Sequence, residues 1–394
     1  MNNLFKAFLI MLGLTACDKA QQIPVTHIAP QLLAETPACN APACGGVDSF
    51  AIRLFSVLAA KQENNFVFSP ASLEGVLNLL QQGARGSSAA ELEALPMGKR
   101  GVATAMAPVE ANALFIAETL KLRKGINPAQ IIKAPFETDS NRSAHIINTW
   151  VSQQTKGLIK GIVSANDIPP VLRIVAANTI YLKEQWLHPF KPASTNEEAD
   201  FTLSDGSTVK VAMMYNSGKY HYAEGEDWQA VALPYRSAKD KGEPGYFIGI
   251  LPTGNVNDFV QTLTPQKYHS IRTALASATE ETTYVNLPRF TLNPGTYSLK
   301  APLRHCGLNH IFSESADFSG FCKEPLYVSD VIQRCYVEVN EQGTEATAAT
   351  AALVQYKCIQ EKSYRITFNR PFIWVITDLH TAAAPYFMGV TQNP

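Results

Sequence analysis

The sequence contains no nucleophile elbow, no HExxH zinc pair and no phosphate-binding glycine loop. Those absences argue against a hydrolase, since scattered Ser, His and Asp residues occur in any chain of 394 residues. Charge of one sign is also missing. The formal net charge is −1, which argues against a nucleic-acid partner held on a broad basic surface. Beyond the N-terminus no stretch approaches the roughly 20 apolar residues that cross a bilayer. No CxxC pair occurs among the seven cysteines. Cys306 lies between His305 and His310, but surface histidines are a plainer reading of that pair than a metal site. Hydrophobic residues make up 46% of the chain, which is too high for disorder and normal for a globular protein.

The start of the chain is a targeting segment by its composition. Met1 to Cys17 reads MNNLFKAFLIMLGLTAC: Lys6, a short apolar run, then small residues leading to a cysteine. Leu14-Thr15-Ala16-Cys17 resembles a bacterial lipobox, which implies that residues 1–16 are a signal peptide and that Cys17 takes a diacylglyceryl group on its sulfur. Two or three acyl chains anchor stably where one does not. Asp18 resembles an inner-membrane retention signal, so the expected address is the periplasmic face of a bacterial inner membrane or elsewhere in the cell envelope. The plainer alternative is an ordinary signal peptide with a chance cysteine. Cys39 and Cys44 in PACNAPACGG can close a small disulfide loop; the pairing of Cys306, Cys322, Cys335 and Cys358 is left open.

Residues 17–47 are rich in Gln, Pro and Gly and read as a tether. From Asp48 the pattern turns helical, with Phe50, Leu54, Phe55, Leu58 and Ala59 at helical spacing. A second helix follows NFVFSP, with Leu73, Val76, Leu77 and Leu80 on one face and Gly83 as its stop. Ile146, Ile147, Trp150 and Val151 mark a third, ending near Gly157. Strands dominate afterwards: Val171–Leu182, the alternation of Tyr246, Ile248 and Ile250, Tyr327–Asn340, and Tyr364–Thr377. Helices first and strands later predict an α+β class with a large, mostly antiparallel sheet system, and no linker divides residues 48–394.

One stretch stands apart: EQGTEATAATAALVQYKCIQ, Glu341 to Gln360. It is rich in Ala and Thr, and from Gly343 to Gln355 Glu345 is the one charged residue. A linker reading fails because no second domain follows. A helix of Ala and Thr has little apolar face to bury, although Ala favours helix. A surface loop of this length is uncommon unless functional. Read with period two, the even positions are Thr344, Ala346, Ala348, Thr350, Ala352, Val354 and Tyr356, all uncharged and most of them small. That face can enter a sheet without burying a charge, while Glu345 falls on the other face. Gly343 at the base is a permissive hinge.

Here the chain resembles the serpin family. Glu341-Gln342-Gly343-Thr344-Glu345-Ala346-Thr347-Ala348-Ala349-Thr350 is similar to the reactive-loop hinge of its inhibitory members. NFVFSPASL at 65–73, GARG at 83–86, ANALF at 111–115, INTWVSQQTKGLIKGIV at 147–163 and ANTIYLKEQW at 177–186 match in order and spacing. So do LPRF at 287–290, ADFSG at 316–320, VSDVI at 328–332 and FNRPF at 368–372. The resemblance spans residues 48–394. It implies a single domain with a large central sheet, smaller sheets, about eight helices and an exposed reactive loop over about residues 341–362.

The resemblance also implies a mechanism. A protease attacks the loop, the acyl-enzyme forms, the cut loop inserts into the central sheet, and the attached protease is distorted so that deacylation fails. About 14 inserted residues at roughly 3.3 Å each move the attachment point by some 45 Å. About ten new ladder bonds at roughly 1 kcal/mol supply on the order of 10 kcal/mol. Family spacing counted from Glu341 places the scissile bond between Lys357 and Cys358. Lys357 suits a trypsin-like protease, and a lysine-specific cysteine protease is also allowed. Cleavage after Tyr356 would suit a chymotrypsin-like enzyme. Cys358 stands in for the common Ser there, or makes the loop redox-sensitive.

Ser69, Asn178 and Gln333 fall at the family's shutter positions, and Trp186 at the place where insertion begins. Gln333 departs from the usual histidine: it still donates and accepts but does not titrate. The segment between Leu95 and Ala111 is shorter than the family's, and the heparin-binding helix falls in the missing part. Lys99 and Arg100 are too few for a polyanion site, so no heparin-type cofactor is expected. The expected molecule is a monomeric, lipid-anchored protease inhibitor with no cofactor, no metal and no catalytic residues of its own; the alternative is a non-inhibitory binding protein on the same fold.

Overall fold

The computed structural model describes residues 25–26, 47–60, 64–95, 106, 108–123, 130–236, 244–344, 362–381 and 384–394. Along the chain, β1 (Val25–Thr26) precedes α1 (Val47–Ala59), β2 (Phe66–Phe68), α2 (Pro70–Gly83) and α3 (Gly86–Glu93). β3 (Val109–Ala117), β4 (Ile131–Ala134) and α4 (Ser140–Gln154) follow. Next come β5 (Ile174–Tyr181), β6 (Glu184–Gln185), β7 (Asn196–Thr202), β8 (Thr208–Glu224), β9 (Trp228–Pro234) and β10 (Gly245–Pro252). After α5 (Val256–Thr262) and α6 (Pro265–Ser277) the chain forms β11 (Glu280–Pro288), β12 (Phe290–Leu292), β13 (Thr296–Ser298) and α7 (Lys300–His305). It ends with β14 (Val328–Val339), β15 (Gly343–Thr344), β16 (Ser363–Thr367), β17 (Phe372–Asp378) and β18 (Phe387–Thr391).

The local chemistry explains these boundaries. In NFVFSP the apolar run is β2, and Ser69 is the N-cap of α2, its hydroxyl accepting from the Ser72 N–H; Pro70 takes the first helical position, where a missing N–H costs nothing. Phe50, Leu54, Phe55, Leu58 and Ala59 of α1 and Leu73, Val76, Leu77 and Leu80 of α2 are all buried. Past α4 the chain turns through Lys156 and Gly157, both at positive φ. The run expected as a strand from Val171 begins pairing at Ile174, and Val171 itself is 64% exposed. Tyr364–Thr377 is two strands rather than one. Phe368 to Pro371 breaks it, because Pro371 lacks the N–H a central ladder needs.

The described residues hold seven α-helices, a seven-stranded sheet, a nine-stranded sheet and a two-stranded pair. The seven-stranded sheet runs β1-β13-β14-β5-β3-β4, with β12 also on β14, and it is mixed. β1–β13, β14–β5 and β3–β4 are parallel, while β13–β14, β12–β14 and β3–β5 are antiparallel. Sequence alternation reports burial on two faces and not strand direction, so the mixed character was not legible in it. β1 lies within the segment read as tether and pairs with Thr296 and Tyr297 of β13. The nine-stranded sheet is antiparallel except where β11 and β16 pair. One apolar core joins the helices to both sheets, and a second, with Trp186, Phe247 and Trp374, also draws residues from both, among them Ile180 and Val337 of the seven-stranded sheet.

The candidate site is built around the parallel β5–β14 junction. Asn178 stands opposite Gln333 and Tyr181 opposite Tyr336. A parallel neighbour pair of this kind leaves room, in direction, for one antiparallel strand between them.

Candidate functional site: a strand junction and the hinge at its end

The middle of the junction is closed by a neutral hydrogen-bond network. Gln333 Nε2 donates to Asn178 Oδ1 at 2.7 Å and to the Ser69 carbonyl at 3.0 Å, and Gln333 Oε1 accepts from the Ser69 N–H at 2.9 Å. Ser69 Oγ donates to the Tyr386 carbonyl at 2.6 Å. Asn178 Nδ2 donates to the Ser72 carbonyl at 3.0 Å, and also to Ser72 Oγ and Asn112 Oδ1. Ser69, Ser72, Asn178 and Gln333 are all buried. The network ties the start of α2 to β3, β5 and β14, so the junction cannot part without breaking it. Every member is uncharged, and buried amides are well satisfied only as a complete set. Sequence reasoning named Ser69, Asn178 and Gln333 and missed Ser72 and Asn112. Both lie inside motifs that the resemblance rests on, Ser72 in NFVFSPASL and Asn112 in ANALF, and that was the available signal.

Cys335 follows on the same face of β14. Burial pushes its thiol well above the ordinary cysteine value, and its Sγ lies 3.5 Å from Gln333 Oε1. Cys322 and Cys335 are free and buried, and Cys306 is disulfide-bonded.

The far end of the junction is aromatic and charged. β5 continues into β6, and beyond it Trp186 is buried, stacked on Tyr235 with ring centroids 4.6 Å apart and 7° between planes. Phe190 and Phe247 meet the Trp186 ring edge-on. Trp186 holds the chain that leaves β14: its Nε1 donates to the Asn340 carbonyl and its backbone N–H to the Gln342 carbonyl, both at 2.9 Å. The Phe190 N–H donates to the Glu341 carbonyl at 2.8 Å. Glu341 Oε1 accepts from Arg289 at 2.7 Å and from Thr195 Oγ1 at 2.8 Å, and Arg289 also reaches Glu197 at 2.8 Å. Burial raises the Glu341 carboxyl pKa, but the hydrogen bonds from Arg289 and Thr195 outweigh it and hold the group below its ordinary value.

Asn340 to Gly343 is a tight reversal, with Asn340 N–H to the Gly343 carbonyl at 2.9 Å and Gly343 N–H to the Asn340 carbonyl at 3.2 Å. Gly343 has φ +150°, and a Cβ there would stand 2.1 Å from the Glu184 carbonyl oxygen, so glycine is required on both counts. The reversal delivers β15 antiparallel onto β6, Gly343 opposite Gln185 and Thr344 opposite Glu184. Thr344 is 0% exposed, and its Oγ1 is 2.9 Å from the Tyr235 hydroxyl. The hinge therefore starts buried and paired, where an exposed loop was expected from Glu341 onward. Trp186 joins Glu341, Gly343 and Thr344 in one cluster; Ser69, Asn178 and Gln333 form the other. Tyr235, Arg289 and Thr195 were not foreseen, because they reach the hinge from separate parts of the sequence. Glu345, Ala346, Thr347, Ala348, Ala349, Thr350, Lys357, Cys358 and Cys17 lie outside the described residues.

Comparison with known proteins agrees with this geometry. The family model described as Serpin (serine protease inhibitor) matches residues 46–106 and 109–394. An uncharacterized serpin-like protein of Thermococcus kodakarensis is 32% identical over 381 residues, covering 90% of this chain and 86% of its own. Plasminogen activator inhibitor 1 of Sus scrofa is 29% identical, with 88% of this chain and 91% of that protein covered. Among solved structures, the native state of the thermophilic serpin tengpin superposes with a TM-score of 0.74 at 24% identity, covering 94% of this chain and 98% of that one. A thyroxine-binding globulin in complex with thyroxine superposes equally well at 24% identity, with 89% and 98% covered. At that identity the two superpositions establish the α+β fold alone. The family match extends over nearly the whole chain, and by it this chain belongs to the serpin family.

Proposed function

We propose that this protein is a suicide-substrate inhibitor of serine endopeptidases with trypsin-like preference. The observation that carries the reading is the hinge. After the reversal at Asn340–Gly343, β15 runs antiparallel to β6, the direction a strand inserted between β5 and β14 must have. The sequence that follows keeps a small, uncharged even face.

In the proposed reaction the protease nucleophile attacks the Lys357 carbonyl carbon. The Lys357–Cys358 amide breaks, Cys358 leaves as a free amine, and the protease stays on Lys357 as an ester. Thr344 and the residues after it then extend β15 along β5, parting the junction at the Gln333–Asn178 bond. This chain supplies the substrate bond and the driving sheet; the protease supplies the chemistry. We further propose that Cys17 is lipidated, that the inhibitor acts as a monomer at the surface of a bacterial membrane, and that no heparin-type cofactor is needed.

Incubating residues 46–394 with trypsin tests the central reading. A covalent complex that survives denaturing electrophoresis, together with a released peptide beginning at Cys358, is expected. Clean cleavage at Lys357 with no complex would sink the inhibitory reading and favour a non-inhibitory member of the fold. Thr344→Arg should turn inhibitor into substrate, because a charge would then enter the sheet face.

A further inference from the structure

We propose that Tyr235 is a positioning residue: its phenol latches the hinge in a docked resting state through Thr344 and so sets the register of the strand that grows from it. Four observations converge on this. Tyr235 is wholly buried, and its hydroxyl makes a hydrogen bond to Thr344 Oγ1 at 2.9 Å. Its ring cannot swing away, because it is stacked on Trp186 at 4.6 Å. Trp186 grips the entry side of the reversal through the Asn340 and Gln342 carbonyls. Tyr235 grips the exit side at Thr344, so the two stacked rings hold both ends of one turn. A core aromatic present only to fill space would be phenylalanine, as at Phe247 beside it. A buried hydroxyl is costly unless bonded, and here the bond is made to the residue where insertion begins.

The register consequence follows from the period of a strand. A slip of one residue moves every side chain to the other face. With Thr344 held against Tyr235, the even positions after it share the inward face and Glu345 is assigned outward. A slip by one would send Glu345 into the sheet. This part rests on the inhibitory reading; the latch itself does not.

The test is amide hydrogen exchange on the free protein, read by mass in peptides covering 184–186 and 341–344. Tyr235→Phe removes only the hydroxyl and should speed exchange there about fivefold, the factor set by one ordinary hydrogen bond. Thr344→Val should do at least as much, Thr344→Ser should behave like wild type, and the double variant Tyr235→Phe/Thr344→Val should be no faster than the faster single variant. Peptides of β17 should not change. If Tyr235→Phe exchanges like wild type, if the two effects multiply, or if β17 speeds up equally, the phenol is packing alone and the latch is wrong. With trypsin, the fraction of cleaved Tyr235→Phe protein that carries protease should fall below that of wild type. Should wild type trap no trypsin while the exchange pattern holds, the inhibitory reading fails and the latch stands.

Discussion

The middle and the end of the β5–β14 junction are closed by different materials. Ser69, Ser72, Asn112, Asn178 and Gln333 hold the middle through neutral amides and hydroxyls, all but Asn112 of them buried. At the end, the stacked Trp186–Tyr235 pair and the Arg289–Glu341–Thr195 bonds hold a reversal of the chain, and Arg289 is 40% exposed. The buried amides and hydroxyls carry no titrating group of their own and fail as a unit when one member is lost, and only at the edge does Asn112 donate to the Glu110 carboxylate. An ion pair open to solvent on one side is screened and titrates. The junction is thus closed by buried uncharged groups in its middle and by a partly solvent-exposed ion pair at its end.

Breaking the middle should cost most. Asn178→Leu removes the partner of Gln333 Nε2 and of the Ser72 carbonyl, leaving buried polar groups unpaired, and should lower stability by about 3–5 kcal/mol. Chemical denaturation would measure it, and alkylation of the adjacent Cys335, blocked by burial in the wild type, should become detectable. An unchanged midpoint would mean that apolar packing, and not the network, keeps the junction shut.

Breaking the reversal should cost less, since only one turn is displaced. Gly343→Ala puts a Cβ against the Glu184 carbonyl at a φ that alanine avoids, so β15 should leave β6 at a local cost of about 2 kcal/mol. Exchange of the Trp186 amide, now bonded to the Gln342 carbonyl, should accelerate while the network around Gln333 stays protected. Equal acceleration at both places would erase the distinction between the two regions.

The smallest effect, and the sharpest contrast, is in pH. The Glu341 carboxyl pKa is lowered in the folded protein relative to its ordinary 4.5. A depressed folded value means that the contribution is fully present above 4.5 and is lost as the pH falls through the folded value below it. With Arg289 partly in solvent, the pair contributes about 1 kcal/mol or less. Melting temperatures of wild type and Glu341→Gln should differ at pH 7 and converge as the pH falls well below 4.5, with the gap at pH 7 narrowing in high salt. Trp186 fluorescence should follow the same course. A gap that does not narrow at all as the pH falls below 4.5 would mean that the glutamate acts through packing and not through charge.

Much of this was legible in the residues. The apolar periodicity of α1 and α2 and the start of α2 after NFVFSP are local effects, set by neighbours within a turn or two of chain, whereas the clash that demands glycine at 343 comes from the distant Glu184 carbonyl. The identity of Ser69, Asn178 and Gln333 as a set was legible only through the family resemblance. No local rule connects residues that far apart in the chain. The break in Tyr364–Thr377 was written in Pro371, but the alternation on either side masked it.

The sequence by itself determined that a small-residue segment free of charge on one face leaves a glycine hinge near the C-terminus, because alternation and side-chain size are properties of the chain alone. Only the tertiary structure decided that the hinge begins docked and that Tyr235 and Arg289 hold it. It also decided that β5 and β14 run side by side in parallel with a neutral lock between them. Those facts depend on which distant strands become neighbours and in which direction they run, and burial patterns carry no record of either.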